Sequence, residues 1–162
     1  MSEKGLDDRD LAILSVLEED SRIPWARIAK LLGVSEATIY LRVKRLQELG
    51  ILEGFTIRVN PYKLGFNSIV FVLVSVGADS LDNARREIPK IKYVAEVHET
   101  TGPYQFLVKI LAPNHVEAAE SIDAIAAVKG VKDINTIYSM RTLLEHSSIV
   151  SRYIEWSGRA RA

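Results

Sequence analysis

Cysteine is absent from the 162 residues, which excludes disulfides and thiolate metal sites and is compatible with a reducing compartment. Long apolar runs are missing too. The longest, Ile69 to Val74, falls far short of the roughly 20 residues that span a bilayer, so no membrane association is expected. The first residues, MSEKGLDD, lack the charged-then-apolar layout of a secretory leader, and a cytoplasmic location is expected. Enzyme signatures are absent as well: there is no Gly-x-Ser-x-Gly, no phosphate-cradling glycine loop and no His-Glu-x-x-His. His98, His115 and His146 are scattered, and nothing in the pattern draws them together for acid–base work. Glu96 and His98 would share a strand face, but such a pair lies at a surface or interface far more often than on a metal. The expectation is a protein that is not an enzyme, with no metal and no cofactor.

A net charge of zero hides an uneven distribution. Residues 1–20 hold two bases and seven acids, net −5, whereas residues 21–65 hold eight bases and three acids, net +5. Phosphates feel local charge, so this balance does not exclude nucleic acid as a partner.

The first third reads as three helices. Asp7 or Asp8 caps the first, with Leu11, Ile13, Leu14 and Leu17 at helical spacing, ending near Asp20-Ser21. Pro24 suits the first turn of the second, whose inner face is Ile28, Leu31 and Leu32 and whose stop is Gly33. Ser35 caps a third helix that runs to Leu49 and ends at Gly50. Only Gly33 and Val34 separate the second helix from that cap, and so short a turn forces the steep crossing of a helix-turn-helix. On the third helix Ile39, Val43 and Leu46 form the packing stripe, while Ala37, Thr38, Tyr40, Leu41, Lys44 and Arg45 face away, with Arg42 beside them. Lys and Arg suit guanine edges or phosphates, and Thr or Leu suits a thymine methyl. Glu36 lies near the helix N-terminus, where it supports the cap or accepts from a cytosine amine. Ser35, Glu36, Ala37, Thr38, Tyr40, Leu41, Arg42, Lys44 and Arg45 are therefore the candidate contacts to double-stranded DNA. Glu53 to Val59 reads as a strand, either a wing or part of a linker, with Arg58 open between phosphate contact and simple solvation.

From Asn67 the pattern changes to β-α-β-β-α-β. SIVFVLVSVG is apolar on both faces and should be covered on both. A helix over 80–90, strands over Tyr93–Thr100 and Gln105–Leu111, a helix over Asn114–Val128 and an extended segment from Val131 to Leu144 follow. This order matches the ferredoxin-like arrangement, a four-stranded antiparallel sheet with both helices on one face. The other face would be bare, so a second copy is expected to cover it. The fold class is thus α+β, a winged helix-turn-helix over 1–52, a linker strand over 53–66, a βαββαβ domain over 67–145 and a tail over 146–162. In the tail, Ile149, Ile154 and Trp156 suit packing on a neighbour, and Arg159 and Arg161 suit solvent.

These segments resemble the Lrp/AsnC (feast/famine) transcriptional regulators along nearly the whole chain. The resemblance is carried by the Leu-Asp-x-x-Asp-x-x-Ile-Leu start at Leu6, the Asp20-Ser21-Arg22 after the first helix, the LGVS…RVKRL segment and the EGFTIRVNPYKLGF linker. The C-terminal half resembles the family's RAM domain. It implies an operator-binding homodimer that associates further, as tetramers or octamers, and responds to an amino acid or related small molecule. It also implies an effector site between subunits at Thr101, Gly102, Pro103, Tyr104 and Gln105, with Ile134, Thr136 and Tyr138 of the last strand opposite. The family pattern commonly has Gly-x-x-Asp at this turn, the acid matching a ligand's ammonium. Here the residues are Gly102-Pro103-Tyr104-Gln105, and a neutral amide does not supply an ionic partner. Weak binding of ordinary amino acids, or a preference for a different small molecule, is expected. A stand-alone effector-binding module is the rival that needs no basic recognition helix.

Overall fold

The computed structural model describes residues 5–145 and 148–158, so the readings made for His146, Arg159 and Arg161 lie outside the described residues. The backbone forms two compact units. One comprises Met1–Arg58 with Leu144–Ala162, the other Val59–Leu143.

The first unit begins with α1, Asp8–Glu19, at a capping box built from two aspartates. The Asp10 N–H donates to Asp7 Oδ1 at 2.8 Å and the Asp7 N–H donates to Asp10 Oδ2 at 3.1 Å, which satisfies two helix-end donors reciprocally. The next helix, α2, spans Trp25–Leu32, with Pro24 as its N-cap rather than inside its first turn. Gly33, at φ +63°, stops α2 in the left-handed region that a Cβ disfavours. Ser35 then accepts from the Thr38 N–H and opens α3, Glu36–Glu48. Ile13, Leu17, Ile28, Ala29, Ile39 and Val43 fill the space between the three helices, and Leu46 is also buried. Leu31 departs from the sequence reading. It is 62% exposed, because this eight-residue helix meets its neighbours through Ile28 and Ala29 and ends before another turn can cover its far edge.

Apolar packing is not all that holds α3 on α1. Asp10 is completely buried, and its carboxylate receives Arg42 Nη1 at 2.7 Å and Arg45 Nη1 at 3.1 Å. Arg42 Nη1 also reaches both oxygens of Asp7, at 2.8 and 2.7 Å, and Arg45 Nη2 donates to the Gly5 carbonyl at 2.9 Å. Arg42 and Arg45 are three residues apart, hence on one edge of α3. Burial pushes the Asp7 carboxyl up, but the Asp10 N–H and the Arg42 guanidinium outweigh it and hold Asp7 below the usual carboxylate range.

The tail contributes a further helix to this unit. Glu18 and Glu19 close α1, followed by Asp20 as its C-cap, an unfavourable end of the helix dipole for acids. Glu18 answers this by capping another helix, α6, Ile149–Trp156. Its carboxylate accepts from Ser148 Oγ at 2.6 Å, from the Ile149 N–H at 2.8 Å and from the Val150 N–H at 3.3 Å. Ile154 is the buried residue of α6, while Ile149 and Trp156 are exposed.

The second unit is a four-stranded antiparallel sheet in the order β2-β3-β1-β4. The strands are β1 Ser68–Val76, β2 Val94–Glu99, β3 Phe106–Ala112 and β4 Val131–Tyr138. Between them lie α4, Leu81–Glu87, and α5, His115–Ala126, the latter capped by Asn114. Val70, Val72, Val74 and Val76 of β1 pack with Phe106, Val108 and Ile110 against Ala84, Ile88, Ala118 and Ile125. Full burial of such apolar side chains is worth about 1.5–3 kcal/mol each, which makes this core the stability of the unit. By alternation Phe71, Leu73, Leu107 and Leu111 occupy the other face, and all four are only half-buried. Gly130 ends the α5 connection at φ +96°, where a Cβ would meet Ser80 Cβ at 2.0 Å, so no other residue fits there.

Two expected strands differ. Glu53 to Val59 forms no ladder, and Phe55, Ile57 and Val59 are exposed. A strand needs a second backbone for its N–H and C=O groups, and one chain offers this segment none, so no wing strand is present among the described residues. The last extended segment ends at Tyr138 rather than Leu144. Tyr138 lies opposite Val70 and the Ser139 N–H still reaches the Ile69 carbonyl, but β1 begins at Ser68, so the partner runs out within two residues.

Four outcomes follow for the first unit, which holds both tryptophans, Trp25 and Trp156. Glu18→Ala leaves the Ser148 N-cap of α6 but removes the carboxylate that holds the Ile149 and Val150 N–H groups. It should cost about 1 kcal/mol of α6 docking, read as faster amide exchange over 149–156 with the sheet unchanged. Asp10→Asn keeps the shape but loses the charge and should cost about 1.5–3 kcal/mol in denaturant unfolding followed by tryptophan emission. The Arg42→Ala, Arg45→Ala pair strands a buried carboxylate and should cost about 3–5 kcal/mol. Because the folded Asp7 pKa is lowered, its contribution is complete above the unfolded value near ~3.9 and disappears as pH falls through the folded value. The unfolding midpoint of this unit should therefore be flat near neutrality and decline only below about pH 4.

Candidate nucleic-acid interface and ligand turn

With Arg42 and Arg45 turned to α1, the residues left on the outer side of α3 are Ala37, Tyr40, Leu41 and Lys44. Tyr40 is 49% and Leu41 64% exposed. Lys44 makes one loose i,i+4 contact with Glu48 at 3.8 Å, which in open solvent is worth little, so its ammonium is available. Thr38 is half-buried and its hydroxyl shares a 2.8 Å hydrogen bond with Ser35 Oγ. Ser35 and Thr38 are thereby spent on the helix start, and Glu36 lies exposed beside them in the first turn. Arg27 and Lys30 of α2 are exposed and add positive charge near the same helix pair. The outer side of α3 thus offers a methyl, a phenol, an isobutyl group and an ammonium, with no acid at its centre. Such a mixture is chemically suited to base edges and phosphates.

The nine residues singled out at α3 therefore divide. Ala37, Tyr40, Leu41 and Lys44 form an outward surface; Ser35 and Thr38 build the cap, with Glu36 exposed beside them in the first turn; Arg42 and Arg45 join α3 to α1. Sequence reasoning missed Asp10 and Trp25. A signal for Asp10 exists in the i,i+3 acid pair Asp7/Asp10 matched by the i,i+3 basic pair Arg42/Arg45. Trp25 carried no signal beyond being aromatic; its ring lies 5.4 Å from that of Tyr40, tilted by 39°.

In the second unit the turn between β2 and β3 is tied closely. The Thr100 N–H and hydroxyl donate to the carbonyls of Gln105 and Tyr104, each at 2.8 Å. The Gln105 N–H donates to the Val74 carbonyl at 2.9 Å. Its side-chain Oε1 accepts from the Val76 N–H at 2.8 Å, and Nε2 donates to the Gly102 carbonyl at 3.1 Å. Gln105 is thus a clasp between the end of β1 and the turn, a double role that needs both halves of an amide. Thr101, Gly102 and Pro103 are exposed, and the Tyr104 hydroxyl lies 3.5 Å from Asp133.

Within one chain β4 is not brought to this turn as a whole. Ile134, Thr136 and Tyr138 pair with Val74, Val72 and Val70, hence lie on the helix side of the sheet. Ile134 is level with the turn, whereas Tyr138 is four residues further on, about 13 Å along a strand. Glu99, the nearest alternative acid, is held by Arg85 at 2.5 and 3.1 Å, which keeps its carboxyl below the usual range. Glu96 is likewise lowered, first by Lys109 Nζ at 2.9 Å, with His98 3.5 Å from its other oxygen. Among the described residues no group of three or more ligating side chains is placed to hold a metal.

Comparison with known proteins agrees with both halves. Residues 6–47 match the AsnC-type helix-turn-helix domain and residues 69–149 the Lrp/AsnC ligand binding domain. The chain is 35% identical over 144 residues to the HTH-type transcriptional regulator FL11 of Pyrococcus furiosus, covering 89% of this chain and 95% of that one. It is 35% identical over 130 residues to the HTH-type transcriptional regulator LrpA of Pyrococcus horikoshii, covering 80% and 92%. Among solved structures it is similar to AsnC of E. coli, with a TM-score of 0.83 and 26% identity over 88% of this chain and 97% of that one. In fold it is similar to the L-methionine complex of the regulator NMB0573 from Neisseria meningitidis, with a TM-score of 0.82 and 20% identity over 89% and 96%. The chain belongs to the Lrp/AsnC family of helix-turn-helix transcriptional regulators.

Proposed function

We propose that this regulator reads operator DNA with the outward residues of α3, chiefly Lys44, Leu41 and Ala37, presented in pairs by a homodimer. The observation that carries the reading is the division of labour on α3. Its arginines are paired with Asp7 and Asp10 of the first helix and its cap, and its one uncommitted ammonium stands among exposed side chains suited to a major groove. Dimerisation runs through the sheet face bearing Phe71, Leu73, Leu107 and Leu111, supported by the exposed, unladdered Phe55, Ile57 and Val59. Each of these surfaces would otherwise leave apolar area in water, and a two-fold partner covers like with like.

The turn at 101–105 is the proposed effector contact, with exposed backbone at Thr101, Gly102 and Pro103. Support comes from the match to a ligand-binding domain model and from the L-methionine complex of the Neisseria protein. Gln105 is committed to Val76 and Gly102, so a ligand ammonium finds no anion at that position. The ligand class is an amino acid or related small molecule held mainly through its carboxylate and side chain. No catalysis is assigned.

Selection of bound sequences from random duplex DNA, with and without each amino acid, tests the reading in one experiment. A site with two related halves about one helical turn apart is expected. Lys44→Ala should cost about 1–3 kcal/mol at that site, and its loss on unrelated DNA should be smaller. Unselective recovery of sequences, or a selected site that Lys44→Ala binds as well as wild type, contradicts it.

A further inference from the structure

Trp25 and Tyr40 lie on different helices of the helix-turn-helix, yet their rings meet at 5.4 Å. Trp25 is the first residue of α2 and half-buried, with one side against the core of the first unit. Tyr40 is half exposed on the outer side of α3. Each carries one polar hydrogen, the indole Nε1–H and the phenol O–H, and neither makes a hydrogen bond among the described residues. Such groups find partners when they are covered. Here the two rings that carry these donors are in contact where α2 adjoins α3, with the exposed Arg27 two residues beyond Trp25.

We propose that Trp25 and Tyr40 form an anchor for the DNA backbone, the two donors binding phosphate oxygens at the margin of the groove that α3 enters. The inference rests on the DNA-reading role of α3 and adds a contact class to it. Three features point to phosphate rather than to a base. The pair lies at the α2 side of α3, and in helix-turn-helix docking the helix before the recognition helix crosses the backbone. Both groups are donors first, matching phosphate oxygens, which only accept. The ring contact also fixes Tyr40 before DNA arrives, which suits a group that sets register. Trp25 then has two parts to play, as a brace for the tyrosine ring and as a donor in its own right.

A neutral donor to phosphate has a signature that separates it from a base contact and from a lysine. It helps every sequence equally, and it releases no counterion, so its removal leaves the salt dependence of binding unchanged. The experiment uses the full chain, with Tyr40→Phe and Trp25→Phe, which preserve the aromatic packing and remove one donor each. Affinity is measured over a salt series on the selected site and on an unrelated duplex. Each variant should weaken both duplexes by the same factor, about tenfold or more for a hydrogen bond to a charged group, with the salt slope of wild type. Thermal unfolding reports that each variant is folded. With Trp156→Phe as background, Trp25 emission should change on DNA addition.

A loss confined to the selected site makes the pair base readers and overturns the phosphate assignment. Wild-type affinity in both variants overturns the anchor altogether while leaving α3 as the reader. If wild type itself binds neither duplex, the DNA-reading role fails and the anchor falls with it.

Discussion

The buried carboxylate of Asp10 is the constraint on which the DNA-binding unit depends. A charge with no exposure to water is costly unless it is met by opposite charge and hydrogen bonds. Here it is met by Arg42, Arg45 and the Asp7 N–H. Those bonds join the first turn of α1 to one edge of α3, so the two helices are fixed against each other. They also decide what α3 presents outward. Two of its three bases are tied to α1, which leaves Lys44, with only a loose contact to Glu48, beside the exposed Tyr40, Leu41 and Ala37.

The same economy shapes the ends of the chain. The acids that close α1 stand at the wrong pole of its dipole, and one of them, Glu18, is used to cap α6. The tail thereby becomes part of the first unit, and the sheet domain is a long insertion between α3 and α6. In the sheet domain the matching constraint is the clasp of Gln105, which ties β1 to the turn before β3 through both halves of one amide.

Much of this was legible from the residues. The helical triplet Ile39, Val43 and Leu46, the Ser35 cap and the Gly33 stop fixed α3 to within a residue. The β-branched apolar run of β1 and the glycine and asparagine boundaries of α5 pointed to the βαββαβ order. What escaped reading was which polar groups face inward. Arg42 and Arg45 look like Lys44 in a sequence, because spacing locates an edge of a helix and does not say whether an acid waits across from it. Gln105 likewise reads as a missing acid until its two hydrogen bonds are seen. The Glu53–Val59 segment has the pattern of a strand, but a pattern does not supply the second backbone that a ladder requires.

The central claim is that DNA meets Lys44 while Arg42 stays on Asp10. Residue-resolved chemical labelling of the folded chain with and without selected DNA tests it most directly, using an amine-specific reagent for lysine and a dicarbonyl for arginine. The account predicts that Lys44 is labelled readily in the free protein and protected by DNA, while Arg42 is labelled slowly in both states. Labelling of Lys44 that DNA leaves unchanged, or Arg42 that is reactive when free and protected when bound, would contradict it.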